Sequence, residues 1–413
     1  FHNGPILTMD GPRLDDGAVL VAGNTITFVG PLAWLDALRR KRATAVDLRG
    51  RALLPGLCDA HLHLTLAAVE HAALDLRGCE TTDELVARLS GRAAESAPGA
   101  WIVGHGWERH RVLRDTAASR EALDAAAPDH PVLLTSKDLH SAWFNSAGLA
   151  RVDALPRLPA RCVVERRDGV ATGLVFEDVF ALKDALLPAA SADARIDALR
   201  PYMEHLAACG ITAVHSNEGV EELAVVRRAL RGEGTRVRVL QNLVFESPDA
   251  LRAGAELFDV GVPGWLATGG VKLFLDGSFG SQTAAVTNPY AGTDDRGLLT
   301  ITPRELDGWL EVVAAMGRPA VMHAIGDRAI ELALDGLARH PGPPGTNHRI
   351  EHGQLLSDHL VARPDLSGRV FSSQPSHMLS DRDIVGRHLT DPNGRRWAYA
   401  HRTMLERGCP VVF

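Results

Sequence analysis

The chain has 413 residues, of which 46% are hydrophobic and 23% are charged, a composition that is typical of a globular protein with a large buried core. The formal net charge is −7 and the sequence pI is about 6.2, which argues against nucleic acids and membranes as partners, because both attract basic surfaces. The five cysteines form no C-x-x-C pair, so we expect neither a disulfide framework nor a thiolate zinc site, and a cytoplasmic location fits best.

The N-terminal segment is predicted to form short strands and turns. Two apolar runs, 18–21 and 25–29, flank Gly23-Asn24, which is a strong hairpin signal. We expect residues 1–52 to form part of a small β-sandwich-like domain, whose C-terminal half would then be missing from the chain.

The rest of the chain alternates short apolar runs with stretches of helical periodicity. This alternation predicts an α/β fold, a (β/α)8 TIM-type barrel that occupies residues 53–413. The predicted barrel strands are 52–59, 211–215, 237–244, 270–275, 319–323, 348–351, 369–373 and 409–413. A long insertion, residues 64–210, separates the first strand from the second. Insertions that follow a barrel strand lie at the C-terminal face, where they serve as lids or pocket walls.

The first predicted barrel strand leads into the sequence His61-Leu62-His63. Residues two apart share one face of a strand, so both imidazoles would point at one spot, as two ligands of a single metal ion must. About one His-x-His pair is expected by chance in a chain with 18 histidines, so the pair alone is weak evidence. His323 and His352 come at the ends of the fifth and sixth predicted strands, where barrel enzymes carry their chemistry. The four histidines are therefore predicted to converge on one rim.

Lys272 lies in the otherwise apolar fourth predicted strand. One interpretation is a snorkelling side chain or a member of a buried ion pair. The other is functional, because burial lowers the pKa of an amine towards the neutral form. A neutral amine reacts with CO₂ to give a carbamate, whose two oxygens can bridge two metal ions.

Taken together, these motifs resemble the amidohydrolase superfamily, and most closely its N-substituted formamide deformylase-like branch, amidohydrolase family 3. The likeness covers nearly the whole chain, and its main motifs are 54–63, 271–278, 323–329 and 349–352. The resemblance implies that His61 and His63 bind one metal ion. It further implies that His323 and His352 bind a second ion, and that a carboxylated Lys272 bridges the two.

The same resemblance implies a metal-dependent hydrolase that acts on carbon–nitrogen bonds other than peptide bonds. Zinc is the expected cofactor, as one ion or two, with Mn, Fe and Co as alternatives, because histidine and carboxylate-type ligands suit all of them. Hydroxide formed from metal-bound water would attack the carbonyl of a small linear amide, such as an N-substituted formamide.

The superfamily also places an Asp, as metal ligand and proton shuttle, at the end of the eighth strand. Its expected position lies beyond Phe413, so the catalytic residue is unknown, and a chain that ends at Phe413 is expected to be inactive. Candidate substrate contacts are His140, Trp107, Asp276 and Gln374. Trp107 and His140 also have ordinary interpretations, as a core residue and a local structural residue.

Two other functions stay open. The first is the opening of cyclic amides, as in hydantoinase-like relatives. A panel of linear and cyclic substrates would distinguish this activity from the hydrolysis of linear amides. The second is a non-catalytic scaffold with the amidohydrolase fold, although all five visible ligand positions are filled. The expected partner is a small-molecule amide, and the sequence leaves open whether the chain forms a homo-oligomer.

Overall fold

The computed structural model describes residues 1–35, 42–113, 119–137, 141–160, 162–234, 236–389 and 392–413. Its strands are β1 (Gly17–Ala22), β2 (Thr25–Pro31), β3 (Leu57–Leu62), β4 (Leu74–Asp75), β5 (Ile102–Trp107), β6 (Val132–Ser136), β7 (Ser141–Phe144), β8 (Val163–Arg167), β9 (Val170–Phe176), β10 (Ile211–Gly219), β11 (Arg238–Val244), β12 (Leu266–Phe274), β13 (Ala320–Ala324), β14 (Arg349–His352), β15 (Val370–Ser372) and β16 (Val411–Val412). Its α-helices are α1 (Leu64–Ala72), α2 (Thr82–Glu95), α3 (Arg109–Val112), α4 (Arg120–Ala126), α5 (Ser146–Asp153), α6 (Val179–Leu186), α7 (Ala192–Ala208), α8 (Val220–Arg231), α9 (Pro248–Ala253), α10 (Pro303–Ala315), α11 (Asp327–Arg339), α12 (Asp358–Ala362), α13 (Pro375–His388), α14 (Pro392–Trp397) and α15 (His401–Glu406).

Eight parallel strands form the central sheet, in the order β3-β10-β11-β12-β13-β14-β15-β16. The backbone N–H of Ala60 in β3 donates to the carbonyl of Phe413, just after β16, at 3.1 Å. This bond joins the two outer strands, so the sheet is a nearly closed barrel. The prediction of an α/β fold with a barrel of eight parallel strands is therefore confirmed.

The helices around the barrel follow from local sequence signals. Thr302 and Glu305 form a reciprocal capping box at the start of α10, with Pro303 at its first position. Helix α11 buries apolar side chains three and four residues apart along one stripe, namely Ala329, Ile330, Ala333, Leu334 and Leu337. The buried faces of α10 and α11 pack against the barrel strands in one continuous hydrophobic core.

Most of the predicted insertion folds as a second sheet. Strands β4 to β9 form a mixed six-stranded sheet in the order β4-β5-β6-β7-β9-β8. The sheet has two hydrophobic clusters of its own, which lie apart from the barrel core. Within residues 64–210, α1 and α7 pack against each other and against β10, the second strand of the barrel sheet. The division of the chain into a barrel and an insertion stays a prediction.

The N-terminal hairpin agrees with the prediction, because β1 and β2 pair antiparallel around Gly23, which has φ +60°. A small cluster of Ile6, Val19 and Leu48 lies beneath it. A separate domain over residues 1–52 stays a prediction. The first barrel strand differs from the prediction, since it begins at Leu57 rather than 52, and residues 52–56 form no strand apart from an isolated bridge to Leu53. Within the described ranges, no helix combines the length and the apolar character that crossing a membrane requires.

Candidate functional site

The four predicted histidine ligands lie together at the C-terminal ends of three barrel strands. His61 is in β3, His63 follows it directly, His323 is in β13, and His352 ends β14. Their ring centroids form a continuous series, with 5.5 Å from His61 to His63, 4.7 Å from His61 to His352, and 4.6 Å from His352 to His323. The structure therefore gathers side chains that are far apart in the sequence.

Hydrogen bonds define the tautomers of the first two rings. Nδ1 of His61 contacts the Glu351 carboxylate, and Nδ1 of His63 lies 2.7 Å from the Asn217 carbonyl oxygen. A carboxylate and a carbonyl can only accept, so both Nδ1 atoms carry the proton. In each ring, Nε2 is left with a lone pair.

The other two rings are held in the same way. Nδ1 of His352 donates to Oε1 of Gln374 at 2.6 Å, and the Gln374 amide nitrogen donates to the Ser372 carbonyl, which orients that amide. Nε2 of His323 donates to the Gly277 carbonyl at 3.0 Å. The free nitrogens are therefore Nε2 of His352 and Nδ1 of His323. Imidazoles that ligate metals have this pattern, in which an acceptor fixes one nitrogen and leaves the other for the ion.

Burial keeps three of these rings, those of His61, His323 and His352, in the neutral form. It lowers the pKa of His61, lowers that of His323 to about 4, and lowers that of His352 well below its usual range. The positive charge of Lys272 acts in the same direction on all three pKa values. Since only the neutral imidazole can bind a metal ion, the three rings are in the binding form at pH 7.

Lys272 in β12 is enclosed in the barrel, with 1% of its surface exposed. Its Nζ has no hydrogen-bond partner among the described residues, and it lies 5.2 Å from the centre of the Phe274 ring. Burial lowers the pKa of the amine to about 8, against the attraction of the Glu351 carboxylate. An amine of this kind is the reactive, partly neutral form that the functional interpretation requires.

Two buried charges at the site were not predicted as functional. Glu351 has none of its side chain exposed, and besides His61 it binds Arg349, whose Nε lies 2.9 Å from Oε1. Burial raises the pKa of Glu351, but the His61 hydrogen bond and the charges of Arg349 and Lys272 outweigh it, so the net shift is downward. The signal available in the sequence was a pair of charged residues in a short buried strand, as for Lys272.

His352 has a left-handed backbone, with φ +71°. Alternation along β14 would place Glu351 and His352 on opposite faces. The left-handed turn of the backbone at His352 allows both neighbouring side chains to reach the site. A non-glycine residue in this region costs of order 1 kcal/mol or more, and such strain clusters at functional sites.

These donors fit a divalent metal ion in their chemistry: at least three neutral imidazoles with one free nitrogen each, and a buried amine without a hydrogen bond. In the part of the chain that the structure describes, no three His, Cys, Asp or Glu side chains are arranged as ready ligands of one ion. The site therefore brings the donors together without closing them around a common point.

Asp276, a predicted substrate contact, is buried and engaged by the backbone. Its carboxylate accepts N–H groups from Ile325 at 3.0 Å, Gly326 at 2.8 Å and Ala285 at 3.0 Å. Burial raises its pKa to about 6, against the opposite effect of these three bonds. Asp276 thus joins the loop after β12 to the loop after β13 and lies beneath His323, whose Nε2 is 3.5 Å away. Contact with substrate stays a prediction.

Asp276→Asn is expected to lower the free energy of unfolding by ~1–3 kcal/mol, because one oxygen cannot serve three donors and the new amide would face a backbone N–H. Urea unfolding of the two proteins measures the difference. Asp307→Asn, which alters a partly exposed pair with Arg339, is the control and should stay within about 0.5 kcal/mol of the original protein. Equal stability of all three proteins would contradict the assigned role.

The remaining predicted contacts have different positions. Trp107 is fully buried in the insertion sheet, where Nε1 donates to the Leu134 carbonyl at 2.9 Å, so it is a core residue and does not line an open pocket. Gln374 is at the site, but as the acceptor for His352. His140 lies outside the described residues. The ring of His377, which follows β15, stacks on the His352 ring with 6.2 Å between their centroids.

Comparisons with known proteins bear on the family and the fold of the chain. A sequence profile of the amidohydrolase family matches residues 44–413. The chain is 28% identical to Protein LONG AFTER FAR-RED 3 of Arabidopsis thaliana, over 98% of this chain and 72% of that protein. It is 26% identical to N-substituted formamide deformylase of Arthrobacter pascens, over 90% of this chain and 74% of that protein. A solved structure described as an uncharacterized metal-dependent hydrolase from Pyrococcus furiosus is similar with a TM-score of 0.75 and 26% identity, covering 100% of this chain and 84% of that one.

Proposed function

Because the chain belongs to the amidohydrolase family, we propose that it is a divalent-metal-dependent hydrolase of carbon–nitrogen bonds other than peptide bonds. The family that the motifs predicted is thereby confirmed, whereas the bond class and the formamide deformylase-like branch belong to the proposal. The observation that carries it is the common hydrogen-bond pattern of the four rim histidines, each with one nitrogen engaged and the other free.

The residues that would hold the metal are His61 and His63 for one ion, and His323 and His352 for a second. Lys272 would join them as a carbamate, formed when its neutral amine adds to CO₂ and releases one proton. The chemistry that a bound divalent ion supplies is a much lower pKa of its bound water, about 7, which makes a nucleophile available at neutral pH. Zinc is our first choice, because imidazole ligands suit it.

The chain's own residues contribute orientation and protonation state. Glu351 and Gln374 keep the Nδ1 protons of His61 and His352 in place, so that the opposite nitrogens face the reaction centre. The Asn217 carbonyl does the same for His63. Phe274 is 44% exposed and lies beside His323, where it supplies an apolar surface at the entrance of the site. Its ring also covers the Lys272 amine.

The proposed substrate is a small linear amide, such as an N-substituted formamide. The support is the similarity to N-substituted formamide deformylase, which extends over most of both chains. An apolar surface beside the histidines suits the substituent on the amide nitrogen, since burying apolar area favours binding.

The test is a comparison of linear and cyclic amides with the full-length protein, before and after removal of metal by a chelator. We expect hydrolysis of N-substituted formamides, measured as release of formate, to disappear with the metal and to return on addition of Zn²⁺, Mn²⁺, Fe²⁺ or Co²⁺. Preferential opening of hydantoin-type rings would favour the cyclic-amide alternative. A metal-loaded protein that hydrolyses neither class would contradict the proposal and favour a scaffold.

A further inference from the structure

Arg349 is a buried arginine that crosses the interior of the barrel from β14. Its Nη2 donates to the Ala60 carbonyl of β3 at 2.6 Å, and its Nη1 lies 2.6 Å from Nδ1 of His215 in β10. Its Nε and Nη2 both contact Oε1 of Glu351, at 2.9 and 2.8 Å. One guanidinium thus contacts three strands beneath the histidine cluster.

The Ala60 carbonyl is available because the β3 strand has an irregularity at this point. Asp59 pairs with Val214, and Leu62 pairs with Ser216, so that Ala60 and His61 oppose a single residue of β10. A bulge of this kind interrupts the ladder and redirects side chains. Arg349 donates to the carbonyl immediately before His61, at the interruption.

Glu351 holds the ring of the same histidine. Its Oε1 is occupied by Arg349, which leaves Oε2 for Nδ1 of His61. The carboxylate has no exposed surface, so its orientation depends on these two partners. The Arg349 guanidinium therefore holds His61 in two ways. It binds the carbonyl of Ala60, the residue before His61, and it orients Glu351, which binds the His61 ring.

We propose that Arg349 and Glu351 form a positioning pair, which fixes the orientation and the tautomer of His61 so that its Nε2 presents a lone pair to a metal ion. The inference rests on the proposed function, in which His61 binds that ion. It assigns a role to two buried residues that act through His61. The planar fork of arginine is required, because only a fork can bind Glu351 through two nitrogens and still reach the Ala60 carbonyl.

The first test is Glu351→Gln, read by ¹⁵N NMR of the histidine rings in metal-free protein. Arg349 would still require an oxygen at the Oε1 position, so the new amide nitrogen would face His61 and donate to its Nδ1. We expect the His61 proton to move from Nδ1 to Nε2, where it blocks the metal-binding lone pair. A His61 ring that keeps its Nδ1 proton in the folded variant would overturn the proposal.

The second test uses Arg349→Lys, which keeps the positive charge and loses the fork. The dissociation constant of Zn²⁺, measured by competition with a chromophoric chelator, is expected to rise by ~10–100-fold, the usual effect of losing a residue that orients a ligand. Folding is checked by circular dichroism. Wild-type Zn²⁺ affinity in this folded variant would also overturn the proposal.

Arg363→Lys is the matched control. Arg363 makes a comparable two-nitrogen contact to Asp365, and also binds Asp335, among the outer helices. Its replacement is expected to leave Zn²⁺ affinity and the histidine spectrum unchanged, and an equal loss of affinity in this variant would mean that Arg349 acts only through general stability. If the original protein binds no Zn²⁺, the proposed function fails, whereas the His61 tautomer still tests the positioning pair by itself.

Discussion

Lys272→Met is expected to abolish hydrolysis and, in the same variant, to raise the stability of the metal-free protein. Methionine has a similar length and fills the same space, but it cannot form a carbamate or bind the metal as an oxygen ligand. Loss of a metal bridge removes several kcal/mol of transition-state stabilisation, which corresponds to a decrease of ~10³-fold or more in kcat/KM. Steady-state kinetics of the full-length protein with the formamide substrate measure this loss.

The gain in stability follows from the pKa of the amine. Burial lowers the pKa of Lys272 from 10.5 to about 8, so the unfolded chain binds a proton more tightly than the folded one. Below pH 8 the amine is protonated in both states, and burying its charge lowers the free energy of unfolding by roughly 3 kcal/mol, at 1.36 kcal/mol per pKa unit. The cost shrinks as the pH rises from about 8 and disappears above about 10.5. We therefore expect the stability difference between Lys272→Met and the original protein to be largest at pH 7.

Chemical denaturation of both metal-free proteins at pH 7 and at pH 10 gives the comparison. Lys183→Met is the control, because Lys183 is ion-paired with Glu70 on the outer helices and should gain no stability when replaced. A methionine variant that is inactive and also less stable than the original protein would contradict the assignment of Lys272 as an amine without a compensating partner.

His323→Ala is expected to be inactive while it remains folded. The ring lies at the end of β13 and makes one hydrogen bond to the Gly277 carbonyl, so its removal leaves the barrel strands intact. Loss of a ligand should reduce the bound metal and lower kcat/KM by ~10³-fold or more. Metal analysis and steady-state kinetics of one preparation of the full-length protein measure both effects.

His359→Ala serves as the matched control for this substitution. His359 is an exposed histidine of α12, paired with Glu331. Its replacement should change neither metal content nor turnover. Retention of full activity by His323→Ala would remove this histidine from the site and leave the proposed second ion without a ligand.

The barrel and its histidines were predictable because both depend on local periodicity. Strand-to-helix alternation predicts the parallel barrel, and a barrel places residues that end its strands on one rim. His323 and Lys272 could therefore be selected from sequence alone. The predicted start of the first barrel strand was wrong, since the apolar residues at 52–56 precede β3. Apolar character does not by itself distinguish an entering loop from a strand.

What could not be predicted depends on contacts between distant segments. The left-handed backbone at His352 lets two consecutive side chains share a site, against the alternation on which the prediction relied. Arg349 depends on the irregularity in β3, which only the pairing with β10 reveals. The three backbone donors to Asp276 lie nine, 49 and 50 residues away, so the sequence alone could not reveal that its carboxylate joins two loops.

The separation of partners along the chain has a kinetic consequence for the site. His61 and Glu351 are 290 residues apart, and His63 and Asn217 are 154 residues apart. Closing such loops has a high entropic cost, so the histidine cluster can form only after β3, β10 and β14 have joined one sheet. A metal ion bound there would act on the finished barrel alone. It would therefore slow unfolding and prolong the life of the native state, while the speed of refolding stayed that of the metal-free chain.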